Sequence, residues 1–367
     1  MCCCVLHRWF FAWSLAAILY GGATAIASEA VSTTAPAAGH GESAIIPHIA
    51  LLLPASSSAF ARPAEAVKLG FLTAAKAQGR APLPIRIYSV TDDSQNIVAG
   101  YNQALAAGAR LVVGPLTRNG VSALAASNLV RVPTLALNIP DGAAPLPPNL
   151  YMLSLHVEAE ARQVAQLAVK DGRLNAFTII GDTPLLRRIH QAFVDEFTRL
   201  GGKHIAEYEF TADAARLTRI KQAIGLDLAD MVFLALDFQR ARLVRPYLGA
   251  LPLYATSQVY PGNAGPLAGY DLANVRFLDM PWLLQPDHPA VMVYPRQEFR
   301  DAVDLERLYA LGIDAFRIVQ WLLEGNNSEA LDGVTGRLTL GRDRQFAREL
   351  TSAEFADGKL LIFANHQ

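Results

Sequence analysis

Cysteine is almost absent from this sequence. The three cysteines, Cys2, Cys3 and Cys4, all precede an apolar run that starts at Trp9. If a signal peptidase removes that run, the mature protein has no cysteine, which excludes disulfides, thiol nucleophiles and cysteine-ligated metals. The positions directly after the run hold alanine and serine instead of the cysteine that a bacterial lipoprotein acylates. The sequence therefore predicts no lipid attachment of that type, and palmitoylation of the terminal cysteines is an alternative with little support.

Excess charge of either sign is also missing. The 32 basic and 33 acidic residues give a net charge of -1, and no segment concentrates lysine and arginine among aromatic side chains. This balance gives no reason to expect a nucleic-acid partner. Hydrophobic residues make up 52% and charged residues 18% of the chain, which is typical of a well-buried globular protein. A chain of 367 residues is longer than most domains that are built on a single hydrophobic core, so two lobes are expected.

Motifs for catalysis are not found. The sequence contains no phosphate-binding loop, no Gly-x-Ser-x-Gly turn and no pair of histidines four residues apart with a glutamate between them. We therefore predict no enzyme activity, no cofactor and no metal site. Asp182, Asp237 and Asp279 follow predicted strands and could act as acids or bases. Capping of a helix or turn is the favoured interpretation of all three.

The amino-terminal segment has the composition of an export signal. Arg8 precedes an apolar run over residues 9–27 that ends in small residues, which predicts a signal peptide over 1–27, cleaved after residue 27. A retained membrane anchor is the alternative, because the run approaches spanning length. Residues 28–44 are rich in alanine, serine, threonine and glycine and are expected to form a flexible lead-in. Ordered structure is expected from Ile45.

Strand and helix patterns alternate along the rest of the chain. Leu111–Thr117 and Val132–Asn138 are short aliphatic runs separated by a helical pattern, as in parallel strands buried on both faces. The same alternation restarts after the proline- and glycine-rich segment 141–148 and predicts a second sheet. The fold class is therefore α/β, with two doubly wound parallel-sheet lobes and a cleft between them. Other predicted strands are 49–53, 85–90, 177–180, 231–236, 253–255, 275–278, 334–340 and 360–363.

The order of these elements also predicts the lobe boundaries. The first lobe is expected to contain residues 45–154 and about 279–330. The second lobe is expected to contain residues 155–278 and about 331–363, with several crossovers between the two.

Polar residues follow the carboxyl ends of the predicted strands, where α/β sheets bind ligands. Their hydroxyls and the free amides at helix starts could hold a carboxylate or another small polar group. Capping and turn formation explain the same residues without a ligand. These ligand-binding candidates are Ser56, Ser57, Ser58, Thr117, Asn138, Thr183, Thr256, Ser257 and Gln258. Tyr260 and Trp282 could line the cleft or a partner surface, although packing is the favoured interpretation of such large aromatics.

Seven segments, in order over residues 45–363, resemble the penicillin-binding protein activator family. Asp279-Met280-Pro281-Trp282-Leu283 and Leu308-Tyr309-Ala310-Leu311-Gly312-Ile313-Asp314 are the most specific of them. The others are Ala50–Pro54, Leu111–Thr117, Val132–Asn138, Leu253–Ser257 and Gly333–Gly336.

The resemblance implies a type I periplasmic-binding-protein-like domain that activates a bifunctional peptidoglycan synthase, a class A penicillin-binding protein, through protein contact. It implies a role in cell-wall synthesis and cell shape and no catalysis. Unlike the best-known members, the sequence has no helical-repeat domain between the predicted signal and the first strand, and no lipobox cysteine. A periplasmic location is expected, and association with the outer membrane stays open.

Two alternative functions remain. The fold is also typical of a periplasmic receptor that closes around a small polar solute, such as an amino acid or a muropeptide. An enzyme of unknown type is the third hypothesis and has the least support, because no catalytic constellation is apparent.

Overall fold

A computed structural model describes residues 45–79, 81–142, 145–224, 228–262, 269–300, 302–325 and 330–363. The predicted signal peptide and lead-in, residues 1–44, lie outside these ranges. No helix within the ranges is both long enough and apolar enough to cross a membrane.

Fifteen strands are found in the described ranges. They are β1 (His48–Leu53), β2 (Ile85–Ser89), β3 (Ala109–Val113), β4 (Thr134–Ala136), β5 (Leu150–Leu153), β6 (Asn175–Ile180), β7 (Lys203–Glu209), β8 (Met231–Ala235), β9 (Leu253–Ala255), β10 (Val275–Asp279), β11 (Leu331–Asp332), β12 (Arg337–Leu340), β13 (Gln345–Glu349), β14 (Thr351–Ala356) and β15 (Lys359–Phe363).

The α-helices that accompany them are α1 (Ala61–Ala77), α2 (Ser94–Ala106), α3 (Arg118–Ala126), α4 (Val157–Lys170), α5 (Pro184–Arg199), α6 (Ala214–Ile224), α7 (Phe238–Val244), α8 (Pro281–Leu284), α9 (Pro289–Met292) and α10 (Val303–Leu323).

The strands form two sheets, each with a parallel centre. The first has the order β11-β12-β13-β5-β4-β3-β1-β2, and the second has the order β15-β14-β10-β9-β8-β6-β7. Parallel pairing extends from β13 to β2 in the first sheet and from β10 to β7 in the second. Antiparallel strands from the end of the chain complete one edge of each sheet. The predicted fold class is confirmed.

Local sequence signals explain where several helices begin. The Thr183 hydroxyl accepts a hydrogen bond from the Leu186 amide, and Pro184 occupies the first helical turn of α5, as predicted. Asp93, Thr117 and Asp237 cap α2, α3 and α7 in the same way.

Helices α1 and α10 form the centre of the first lobe. Their backbones approach so closely that a Cβ added at Gly70 would lie 1.9 Å from the Tyr309 carbonyl oxygen. At Gly312 the same addition would lie 2.1 Å from the Val67 carbonyl oxygen. The absence of a side chain at both glycines therefore allows the close contact between the two helices.

Within the described ranges, the chain passes between the sheets at three places. It leaves the first sheet after β5, returns after β10, and crosses again between β13 and β14. This arrangement corrects one predicted boundary. Residues 331–363 were expected in the second lobe as a unit, but β11, β12 and β13 belong to the first sheet, and only β14 and β15 belong to the second.

One predicted strand is also shorter than expected. Residues 334–336 form a turn before β12, because the Asp314 carboxylate accepts hydrogen bonds from the Val334 and Thr335 amides at 3.0 and 2.7 Å. Gly336 then adopts a φ of 131°, which favours glycine.

Candidate functional site

A cavity of about 540 Å³ lies between the two lobes. The first lobe contributes the ends of β3 and β4 and the start of α3, and the second lobe contributes the starts of α4 and α5. Two of the nine predicted ligand-binding residues line this cavity, namely Thr117 and Asn138. The carboxyl edge of the first sheet therefore opens onto the cleft, as its parallel topology requires.

The polar atoms of Thr117 and Asn138 already have partners in the protein. The Thr117 hydroxyl accepts a hydrogen bond from the Gly120 amide and donates one to the Asp92 carboxylate. The Asn138 side-chain amide donates to the Leu116 carbonyl oxygen at 3.1 Å, and its oxygen accepts from the Ile139 amide at 3.0 Å. Both side chains lie at the cleft, and their contacts are those of capping and turn formation.

Three charged side chains meet at the cleft, and one of their contacts, between Arg118 and Glu158, joins the two lobes. Arg118 of the first lobe contacts the Glu158 carboxylate of α4 at 3.2 Å, and Arg188 of α5 contacts the same carboxylate at 3.0 Å. A single carboxylate thus holds two guanidinium groups that face the cavity. An anionic ligand would compete with Glu158 for both groups, which have the geometry to bind a carboxylate or a phosphate. Arg118, Glu158 and Arg188 were not among the predicted ligand-binding residues, because isolated arginines and glutamates carry no local signal.

The other seven predicted ligand-binding residues do not line the cavity described above. Ser56, Ser57 and Ser58 form the turn after β1, and Thr183 caps α5. Thr256, Ser257 and Gln258 follow β9 in a short 3₁₀ turn. Thr256 and Ser257 are buried, so neither is open to a solute in this conformation.

Ser257 instead belongs to a buried polar network at the crossovers between the lobes. Its amide and its hydroxyl both donate to the Glu160 carboxylate of α4, with 3.1 Å between the hydroxyl and Oε2. Arg307 of α10 donates to the Ser257 carbonyl oxygen at 3.2 Å and to the Asp279 carboxylate at 2.7 Å. The network therefore joins both lobes.

The burial of this network changes the acidity of Glu160. Loss of solvation, together with the neighbouring negative charge of Asp279, raises the pKa of Glu160 to about 7. Glu160 is 5% exposed and Asp279 is 2% exposed, so a solute cannot reach either carboxylate. We interpret these groups as a buried polar contact that holds the two lobes together.

The three aspartates considered as acids or bases have structural partners. Asp237 caps α7, and Asp182 forms an exposed ion pair with Arg240 at 2.8 Å. Asp279 is paired with Arg307 at 2.7 Å. Trp282 is 1% exposed and has the Arg296 guanidinium 4.0 Å from its ring centroid, which confirms the packed interpretation.

One serine–histidine pair lies beside the cleft. The Ser154 hydroxyl is hydrogen-bonded to Nδ1 of His156 at the first crossover. Burial and the nearby Arg348 charge lower the pKa of His156 to about 4, so the imidazole is a weak base. Ser154 is 3% exposed. The low basicity and the burial both argue against a nucleophilic role for this pair.

A sequence model of the family described as "LppC putative lipoprotein" matches residues 42–358. The penicillin-binding protein activator LpoA of Edwardsiella piscicida is 27% identical over 323 residues, which cover 76% of this chain and 46% of that protein. LpoA of Edwardsiella ictaluri is 26% identical over 84% of this chain and 52% of that protein. The chain spans about half the length of these curated relatives.

Solved structures add two comparisons. A "putative branched-chain amino acid ABC transporter" from Chromobacterium violaceum ATCC 12472 is 42% identical, with a TM-score of 0.72 over 84% of this chain and 99% of that chain. The C-domain of LpoA from Haemophilus influenzae, described as a regulator of PBP1A, is 23% identical, with a TM-score of 0.70 over 86% of this chain and 100% of that chain. The second likeness shows the shared fold.

Proposed function

The chain belongs to the LppC family, and on that premise we propose that it is a periplasmic, non-catalytic regulator that activates a class A penicillin-binding protein through protein contact. The observation that carries this proposal is the match to named activators over 76% and 84% of the chain. Export by a cleaved signal peptide over residues 1–27 is part of the same proposal.

The geometry supports contact through the outer surface. A cavity of about 540 Å³ has the size of a small-molecule pocket. A stable protein contact instead buries about 800 Å² of surface on each partner, so we place the contact with the synthase on the outer surface. The buried network of Glu160, Asp279 and Arg307 fastens the lobes, so that their outer faces form a fixed surface.

Reconstitution tests this proposal. The mature chain and a purified class A penicillin-binding protein from the same organism are mixed with lipid-linked peptidoglycan precursor, and glycan polymerisation and peptide cross-linking are measured. We expect at least one rate to rise several-fold and to saturate with added chain. The chain alone should form no product, and an unrelated two-lobed binding protein serves as the control. Unchanged rates together with no co-precipitation of the synthase would contradict the proposal.

A solute receptor is the second candidate, and a specific observation favours it. Arg118 and Arg188 both line the cavity, and the Glu158 carboxylate contacts both of them. The 42% identical Chromobacterium violaceum protein is described as a "putative branched-chain amino acid ABC transporter". Thermal-shift measurements with amino acids and muropeptides test this candidate, because a ligand at 100 times its Kd stabilises the folded state by about 2.7 kcal/mol. Stabilisation by a free amino acid, without any effect on a synthase, would replace the activator by the receptor.

A further inference from the structure

Two histidines and a glutamate converge at the outer edge of the second sheet, away from the residues that line the cleft. His190 lies on α5, whereas His204 and Glu207 lie on β7, the edge strand of that sheet. One ligand atom from each of the three side chains lies within 4.8 Å of the others. The closest pair, His190 Nε2 and Glu207 Oε2, is separated by 3.3 Å.

A β-bulge produces this convergence. Residues three apart on a regular strand point to opposite faces of the sheet. In β7, however, Ala176 is opposite His204 and Phe177 is opposite Ala206, so one extra residue is inserted at Ile205. His204 and Glu207 consequently share the face that α5 covers. Bulges that re-aim side chains in this way are often found beside functional sites.

Without a metal, the two imidazoles share a buried hydroxyl. The Thr178 Oγ1 lies 2.9 Å from Nε2 of His190 and 2.9 Å from Nε2 of His204. A hydroxyl has one proton, so it can donate to only one of these nitrogens, and the other must donate to it. Both Nε2 atoms therefore point to one place on the sheet face, and Thr178 keeps them there.

We propose that His190, His204 and Glu207 bind a divalent cation of the zinc type. Two imidazoles and one carboxylate are a preferred donor set for Zn²⁺, whereas Mg²⁺ and Ca²⁺ prefer all-oxygen sites. Tetrahedral ligands at about 2.0–2.1 Å from zinc lie roughly 3.3 Å apart, which is already the separation of His190 Nε2 and Glu207 Oε2. Glu207 is 46% exposed, so the cation has access from solvent and a water can complete its coordination.

The bound cation fixes α5 to β7. It therefore stabilises β7, which in the described ranges pairs with a neighbouring strand on one side only. His190 and His204 are separated by thirteen residues and lie on different elements, so no local sequence motif connects them.

Calorimetric titration of the untagged, chelator-treated chain tests the proposal. Zinc chloride is titrated into the wild type and into the His204→Gln and Glu207→Gln variants, with magnesium chloride as a second titrant. We expect one zinc per wild-type chain, at least tenfold weaker binding in each variant, and no binding of magnesium. Zinc should also raise the Tm of the wild type by several degrees and leave the Tm of both variants nearly unchanged.

Two matched variants control for lost charge and lost imidazole. Glu209→Gln removes an exposed carboxylate from the same strand, and His288→Gln removes an imidazole outside the cluster; both should bind zinc like the wild type. Circular dichroism confirms that each variant is folded. The proposal is overturned if the wild type binds no zinc, or if His204→Gln and Glu207→Gln bind it with unchanged affinity.

Discussion

Glu160 carries a buried carboxyl group, and no lysine or arginine of the described ranges donates a hydrogen bond to it. Its oxygens accept from the Ser257 amide and hydroxyl, and burial with the nearby Asp279 raises its pKa from 4.5 to about 7. Between these pH values the folded state holds a proton that the unfolded chain has released. Raising the pH through this window therefore lowers the free energy of unfolding.

The Glu160→Gln variant isolates this effect, because glutamine resembles the protonated acid and does not titrate. We expect the wild type to lose stability relative to the variant as the pH rises from 5 to 8, as measured by urea unfolding. His156 acts in the opposite direction, since its pKa is lowered from 6.5 to about 4, but its contribution cancels in the difference. Parallel stability curves for the two proteins would show that Glu160 titrates normally.

Arg307 and Asp279 form the most buried ion pair that joins the two lobes in the described ranges. Their side chains are 10% and 2% exposed, and their closest atoms are 2.7 Å apart. Arg307→Met leaves the Asp279 charge buried and unpaired, which should destabilise the protein by about 3–5 kcal/mol. The double variant with Asp279→Asn should recover part of that loss. A urea double-mutant cycle measures the coupling, and a loss below 1 kcal/mol in Arg307→Met would show that the pair is unimportant.

At the scale of elements, the contact between α1 and α10 depends on two glycines. A Cβ at Gly70 or Gly312 meets backbone atoms at 1.9 and 2.1 Å, so the helices must move apart. We expect Gly70→Ala and Gly312→Ala each to lower the free energy of unfolding by about 1–3 kcal/mol or more, despite the higher helix propensity of alanine.

Gly100 in α2 is the matched control for these variants. Its added Cβ would meet side-chain atoms of Val90 at 2.5 Å and Leu52 at 3.1 Å, and side chains can shift more easily than backbone. Gly100→Ala should therefore cost clearly less than the other two. Equal losses in all three variants, measured by urea unfolding, would contradict the assignment of α1 and α10 as a close backbone contact.

The elements that the sequence predicts best are those with a local signal. The buried strands β1, β3, β6 and β8 are short aliphatic runs, and α5 has both its cap at Thr183 and Pro184. Strand β7 was not predicted, because its alternating charged residues at an edge resemble a loop. The turn at 334–336 was predicted as strand, because the Asp314 carboxylate that holds it is twenty residues away in sequence.

The candidate site, too, could be predicted only where the sequence carries a local signal. Thr117 and Asn138 could be placed at the cleft, because strand ends in a parallel sheet have a known edge. The pairing of Arg118 and Arg188 with Glu158, the Glu160 network and the His190 cluster all join residues from separate elements. Such contacts depend on the crossovers and on the β7 bulge, which hydrophobic periodicity does not specify.

At the scale of the whole molecule, two functions place different demands on the cleft. A receptor needs the guanidinium groups of Arg118 and Arg188 for its ligand, whereas an activator that works through its outer surface does not. Both guanidinium groups contact Glu158, and these contacts are compatible with either function. The demands can therefore be separated by variants that change the cleft alone.

We expect the Arg118→Ala/Arg188→Ala variant to stimulate a class A penicillin-binding protein within about twofold of the wild type, because the cavity of about 540 Å³ is too small to seat a synthase domain. The same variant should lose any thermal stabilisation by anionic amino acids or muropeptides. Glu158→Gln provides the opposite change, since it removes the negative charge that both guanidinium groups contact and should strengthen binding of an anion. If the double variant keeps its Tm but no longer stimulates the synthase, the cleft itself takes part in activation, and contact through the outer surface is wrong.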